Sequence, residues 1–148
     1  HSLKYTDYCI INEVEASLTT QIPVRTDEGD LIIENLAKIC KRLFEMGVKE
    51  WVVIHAPEGG FAQAEGGEFK VQPSLKLPDG YIKGTVGAGD AFCAGVLYCI
   101  YKGLSIDKAL QIGVAAAACN LSAVNSIDGM KNIADVEHLF NTTPKRCL

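Results

Sequence analysis

Two kinds of apolar spacing run along the chain. Asp7 to Ile11 is a short apolar run holding a tyrosine, a cysteine and two isoleucines, which predicts a buried strand. Helix-forming and polar residues follow from Asn12 to Thr20, where the strand is expected to empty into a loop. From Asp30 to Gly47, Ile32, Leu36, Ile39 and Leu43 recur at spacings of three and four, the signature of an amphipathic helix. Asp30 is a candidate N-cap for it and Gly47 a candidate residue just past its end. Trp51 to Ile54 is continuously apolar and rich in β-branched residues, which after a helix predicts a parallel strand covered on both faces. The leading unit is therefore strand, helix, strand.

Further along, Gly66-Gly67 between two short apolar segments predicts a tight hairpin. Gln72 to Gly80 contains Pro73, Pro78 and an Asp-Gly pair and reads as an exposed connection. A helix is predicted from Gly87 to Lys102, ending before Gly103, and Ser105 can cap a second one running through Ala115 to Ala118. Asn132 and Asp135 have the spacing that starts a last short helix, and the tail from Asn141 is expected to fray.

Composition narrows the function classes. With 148 residues, 48% apolar and 22% charged, the chain is expected to fold as one compact domain. A net charge of -4 removes the basic footprint that grips a nucleic-acid backbone or an anionic membrane, so neither is an expected partner. The run Ala91 to Tyr101 is too short to span a bilayer and no N-terminal signal pattern is present, which points to a cytoplasmic protein. Six cysteines form no C-x-x-C pair and four lie in apolar segments, the pattern of buried free thiols. His1, His55 and His138 make no ligand pair, so no structural zinc is expected.

One stretch carries chemistry. Gly84-Thr85-Val86-Gly87-Ala88-Gly89-Asp90 is a glycine-rich turn running straight into a helix. Glycines permit backbone turns closed to other residues and let a ligand approach the amides, while the helix N-terminus adds partial positive charge. Phosphate fits such a site. Asp90, in the first helical turn, suits the late removal of a proton from an attacking hydroxyl. The same residues also read as a plain turn followed by an acidic residue favourable to the helix dipole. Neither G-x-x-x-x-G-K-[ST] nor G-x-G-x-x-G occurs, so a P-loop and a dinucleotide fingerprint are both excluded.

Thr85-Val86-Gly87-Ala88-Gly89-Asp90-Ala91-Phe92-Cys93-Ala94-Gly95 resembles the C-terminal signature of the ribokinase-like (PfkB) carbohydrate kinases. Asn12-Glu13-Val14-Glu15, just after a predicted strand, is similar to the family's Asn-x-x-Glu motif; without the family, Asn12 is a cap candidate and Glu15 a solvated helix residue. The resemblance implies an α/β fold, ribokinase-like, with a mostly parallel Rossmann-like sheet flanked by helices and truncated to its C-terminal part. It implies an ATP-dependent phosphotransferase acting on a small sugar, a related polyol or a nucleoside. Asp90 would be the catalytic base, with Gly87, Ala88 and Gly89 at the transferred phosphoryl group. Thr85, Gly60, Asn120, Asn12 and Glu15 would serve the nucleotide, and Asn12 and Glu15 would hold magnesium through water.

The chain also departs from the family. Gly84 stands where the family carries an acidic residue linked to a monovalent cation, which weakens the case for potassium activation. His55-Ala56-Pro57-Glu58-Gly59-Gly60 replaces a Thr-x-Gly-x-x-Gly loop, leaving only Gly60 in place. Residues 1–148 align with the C-terminal, nucleotide-binding and catalytic portion of such a kinase, whose full chains run to about twice this length. The N-terminal half that supplies the substrate contacts and lid is then absent, and the fragment alone is expected to be inactive. An uncovered strand at Asp7 to Ile11 would favour a homodimer. A non-catalytic nucleotide-binding or regulatory module of the same fold is the alternative.

Overall fold

Asn12 decides how the first strand ends. In the computed structural model, which describes residues 2–148, β1 spans Tyr8–Asn12 and passes directly into α1, Glu13–Thr20. The Asn12 side chain accepts a hydrogen bond from the Glu15 amide at 2.7 Å, and the Glu15 carboxylate accepts one from the Asn12 amide at 3.4 Å. This reciprocal capping box satisfies two otherwise unpaired helix donors, so a helix stands where a loop was expected.

Leu36, Ile39, Cys40 and Leu43 form the buried stripe of α2, Ile33–Glu45. Its N-cap position is Ile32 and not Asp30, whose carbonyl is engaged by the Thr26 amide (2.9 Å) in a preceding turn. Gly47 does follow its end, at φ +115°, and a Cβ there would lie 2.6 Å from the Lys4 backbone. β2, Trp51–Ala56, runs parallel to β1, with Tyr8 opposite Trp51 and Asn12 opposite His55. Only Pro57 and Glu58 separate β2 from β3, Gly59–Ala64, a connection short enough to demand an antiparallel return. The predicted hairpin turn then leads through Gly66, at φ +68°, into β4, Lys70–Pro73. The strand order is β1-β2-β3-β4 in a mixed sheet.

The described residues fall into two compact units. One runs through residue 56 and adds Phe61–Val71; the other comprises Pro57–Gly60 and Gln72–Leu148. In the first, Cys9, Ala16, Leu36, Ile39, Cys40, Leu43, Val52, Ile54 and Phe61 make one buried cluster. The second is built on α3 (Ala88–Tyr101), α4 (Ile106–Asn120) and α5 (Ile133–Thr142). Ser105 caps α4 by accepting from the Lys108 amide (3.3 Å), and Asn132 caps α5 by accepting from the Asp135 amide (3.0 Å), both as their positions predict. A Cβ on Gly95 would meet the Ile112 carbonyl at 3.0 Å, and one on Gly113 would meet the Phe92 ring at 2.9 Å. These glycines let α3 and α4 approach closely.

The tail does not fray as expected. The Lys76 amide donates to the Pro144 carbonyl (2.7 Å) and the Arg146 amide to the Ser74 carbonyl (2.9 Å), so residues 144–146 lie antiparallel to 74–76. Backbone pairing of this kind needs no apolar alternation and leaves no pattern to read. All six cysteines are free; Cys9, Cys40, Cys99 and Cys119 are buried. Burial pushes the Cys40 thiol up to about 12. Among the described residues no helix is long and apolar enough to cross a membrane, and no group of His, Cys, Asp or Glu side chains could hold a metal by itself.

Candidate active site

Helices α1, α4 and α5 each begin with a side chain that caps the first turn, whereas α2 and α3 have no such cap, and α3 follows Gly87, which has no side chain to offer. Gly87 sits in the left-handed region at φ +81°, a conformation that costs glycine nothing. A Cβ there would also lie 2.5 Å from the Ser126 Cβ, and one on Gly84 would lie 2.7 Å from the Val124 carbonyl. The Lys83 amide donates to the Leu121 carbonyl at 2.8 Å. The segment 83–87 is thus laid closely along the segment 121–126. Asp90 is exposed in the first turn of α3, one turn before the partly exposed Cys93. The geometry gives a helix N-terminus without a side-chain cap, flanked by an exposed carboxylate: amide donors for an anion beside an acceptor for a proton.

The remaining candidates divide. Thr85 is exposed, and its carbonyl accepts from the Ala88 amide at 3.3 Å, tightening the turn. Gly60 has little exposed surface. It lies buried in β3, where a Cβ would meet Leu110 and the Phe92 ring at 3.0 Å, so it makes room for α3 and α4. Asn120, the last residue of α4, is 0% exposed; its Nδ2 donates to the Ser126 carbonyl at 2.8 Å.

Asn12 and Glu15 belong to the first unit, and Thr85, Gly87, Ala88, Gly89 and Asp90 to the second, together with Gly60 and Asn120. Asn12 ends β1 opposite His55 in β2, at the carboxyl ends of two parallel strands, the end at which open α/β sheets take ligands. Glu15 is exposed, so its carboxylate can face a hydrated cation. Sequence reasoning missed Glu13, which is buried and paired with Arg25 at 2.8 Å. The available signal was its spacing: Glu13, Ala16 and Thr20 share the inward face of α1.

An α/β fold with a glycine-opened helix N-terminus and an adjacent carboxylate defines a protein equipped to hold an anion beside a proton acceptor. The chain belongs to the pfkB family of carbohydrate kinases, which it matches over residues 1–133. It is 30% identical over 116 residues to a 5-dehydro-2-deoxygluconokinase of Halalkalibacterium halodurans, covering 78% of this chain and 33% of that protein. Its structure is similar to Arabidopsis thaliana ribokinase complexed with ribose and ATP (TM-score 0.75, 27% identity, 93% of this chain and 42% of that one). It is also similar in fold to an Escherichia coli protein described as a ribokinase II, in complex with ATP and Mg2+ (TM-score 0.71, 22% identity, 94% and 40%). The chain spans about a third of the length of the curated relatives it matches.

Proposed function

We propose that this chain carries the nucleotide-binding and catalytic portion of an ATP-dependent carbohydrate kinase, which transfers the γ-phosphoryl group of ATP to a hydroxyl of a small sugar or sugar derivative. The observation that carries the proposal is the α3 N-terminus, opened by left-handed Gly87 and followed by exposed Asp90. The substrate oxygen attacks the γ-phosphorus, the bond to the bridging β,γ-oxygen breaks, ADP leaves, and the hydroxyl proton passes to the Asp90 carboxylate. The amides of Gly89 and Asp90 hold the charge on the transferred group, where fixed donors are worth most, while the Ala88 amide, which donates to the Thr85 carbonyl, holds the turn itself. Asn12 and Glu15 fit magnesium held through water: Glu15 is exposed, and the ion prefers to keep its water shell. When bound, it neutralises charge on the nucleotide phosphates. ATP, and ribose in one case, accompany the structural relatives, which supports this reading. The chain alone, spanning a third of its relatives, is inferred to be inactive.

Replacement of Asp90 by Asn in the full-length enzyme tests the assignment. Turnover should fall about a hundredfold or more, with little change in ATP affinity. Near-normal turnover would sink the catalytic role. Gly60, buried in β3 and not exposed in a phosphate loop, favours a second reading, a non-catalytic nucleotide-binding module of the same fold. Under that reading ATP binds, and no member of a panel of pentoses, hexoses, sugar acids and nucleosides consumes it.

A further inference from the structure

We infer that Asn120 is a positioning residue, which locks the loop 121–129 against the glycine turn and so fixes the first turn of α3. The inference rests on the kinase reading for its functional meaning and on the second unit alone for its geometry. Asn120 is completely buried, an unusual place for a carboxamide, and its Nδ2 donates to the Ser126 carbonyl six residues ahead. Ser126 in turn leaves no space for a side chain at Gly87, whose left-handed backbone starts α3. The same loop holds the other end of the turn, with Leu121 accepting from the Lys83 amide and Val124 closed against Gly84. Behind the loop, Gly129 closes on the Asn120 backbone, where a Cβ would lie 2.5 Å from the Asn120 carbonyl oxygen. One buried amide therefore connects the end of α4 to both ends of the turn that presents Asp90. Its Oδ1 has no hydrogen-bond partner, so the Nδ2 bond is the one that compensates the burial of this group.

Replacing Asn120 by Asp tests this, because the two side chains have the same shape and differ in the donor. A buried carboxyl has a raised pKa; protonated, it can donate to the Ser126 carbonyl, and ionised, it repels it. Tyr81 and Cys119, titratable neighbours at this end of α4, are themselves pushed up by burial. Lys131 and Asp135, which act on Cys119 in opposite directions, are common to both proteins. Hydrogen exchange should show segments 83–91 and 121–129 exchanging several-fold faster in the variant than in the parent at about pH 8, and close to the parent rate at about pH 5. Loosening of 121–129 without 83–91, loosening equal at both pH values, or no change would each overturn the inference. Should the variant also expose the middle of α4, Gly87→Ala decides: its Cβ would lie 2.5 Å from the Ser126 Cβ, and an unchanged 121–129 would overturn the inference. In the full-length enzyme, kcat of Asn120→Asp relative to the parent should recover toward acid pH while KM for ATP stays within about threefold. Absence of turnover in the parent would sink the kinase reading and leave the exchange result standing.

Discussion

Burial sets the chemistry of single residues here more than sequence neighbours do. Cys40 is 0% exposed in α2, and desolvation holds its thiol at about 12, against an ordinary value of 9.0. The native state then keeps a proton that the unfolded chain releases, so this thiol's contribution to stability is constant below about pH 9 and declines as pH rises toward 12. The slope from this one thiol is about 1.4 kcal/mol per pH unit. Urea unfolding between those limits should show a shallower decline for Cys40→Ala than for the parent, and parallel slopes would refute the assignment. Asp90 stood out in the sequence as a carboxylate just after a Gly-x-Gly turn, and it lies exposed in the first turn of α3. Asn120 was legible only as a position. Its complete burial and its bond to Ser126 arise from a loop whose path no local pattern specifies.

At the scale of elements, the helices declare themselves where caps and periodicity agree. Ser105 and Asn132 cap as predicted, and the α2 stripe is the buried stripe. Periodicity says nothing about how closely two helices approach, and that distance depends on Gly95 and Gly113. Gly113→Ala gains up to about 1 kcal/mol of helix propensity. It also drives a methyl into the buried Phe92 ring, an overpacking cost of about 1–3 kcal/mol. Thermal or urea unfolding should show a net loss of about 1 kcal/mol; a stabilised variant would mean that Phe92 can yield. The first helix shows the converse. Its capping box was present as Asn12-x-x-Glu15, yet the helix is short and weakly patterned, so a loop was the natural expectation.

For the molecule as a whole, β1 stands at the end of the strand order, with one side of its backbone unpaired within the sheet. Tyr8, Val14 and Leu18 are exposed on β1 and on the helix that follows it. An edge of this kind templates pairing with another chain. Light scattering after size exclusion should show mass rising with concentration, and a monomer at every concentration would refute self-association. By itself the sequence determined the local elements with strong periodicity, the free thiols and the glycine turn with its carboxylate, because each depends on residues within a turn or two of one another. Tertiary structure decided that Gly60 packs against α3 and α4, that the tail pairs with residues 74–76, and that Asn120 holds the loop beside Gly87. Those outcomes depend on which distant backbones come within a few ångströms of each other, and local pattern does not encode that.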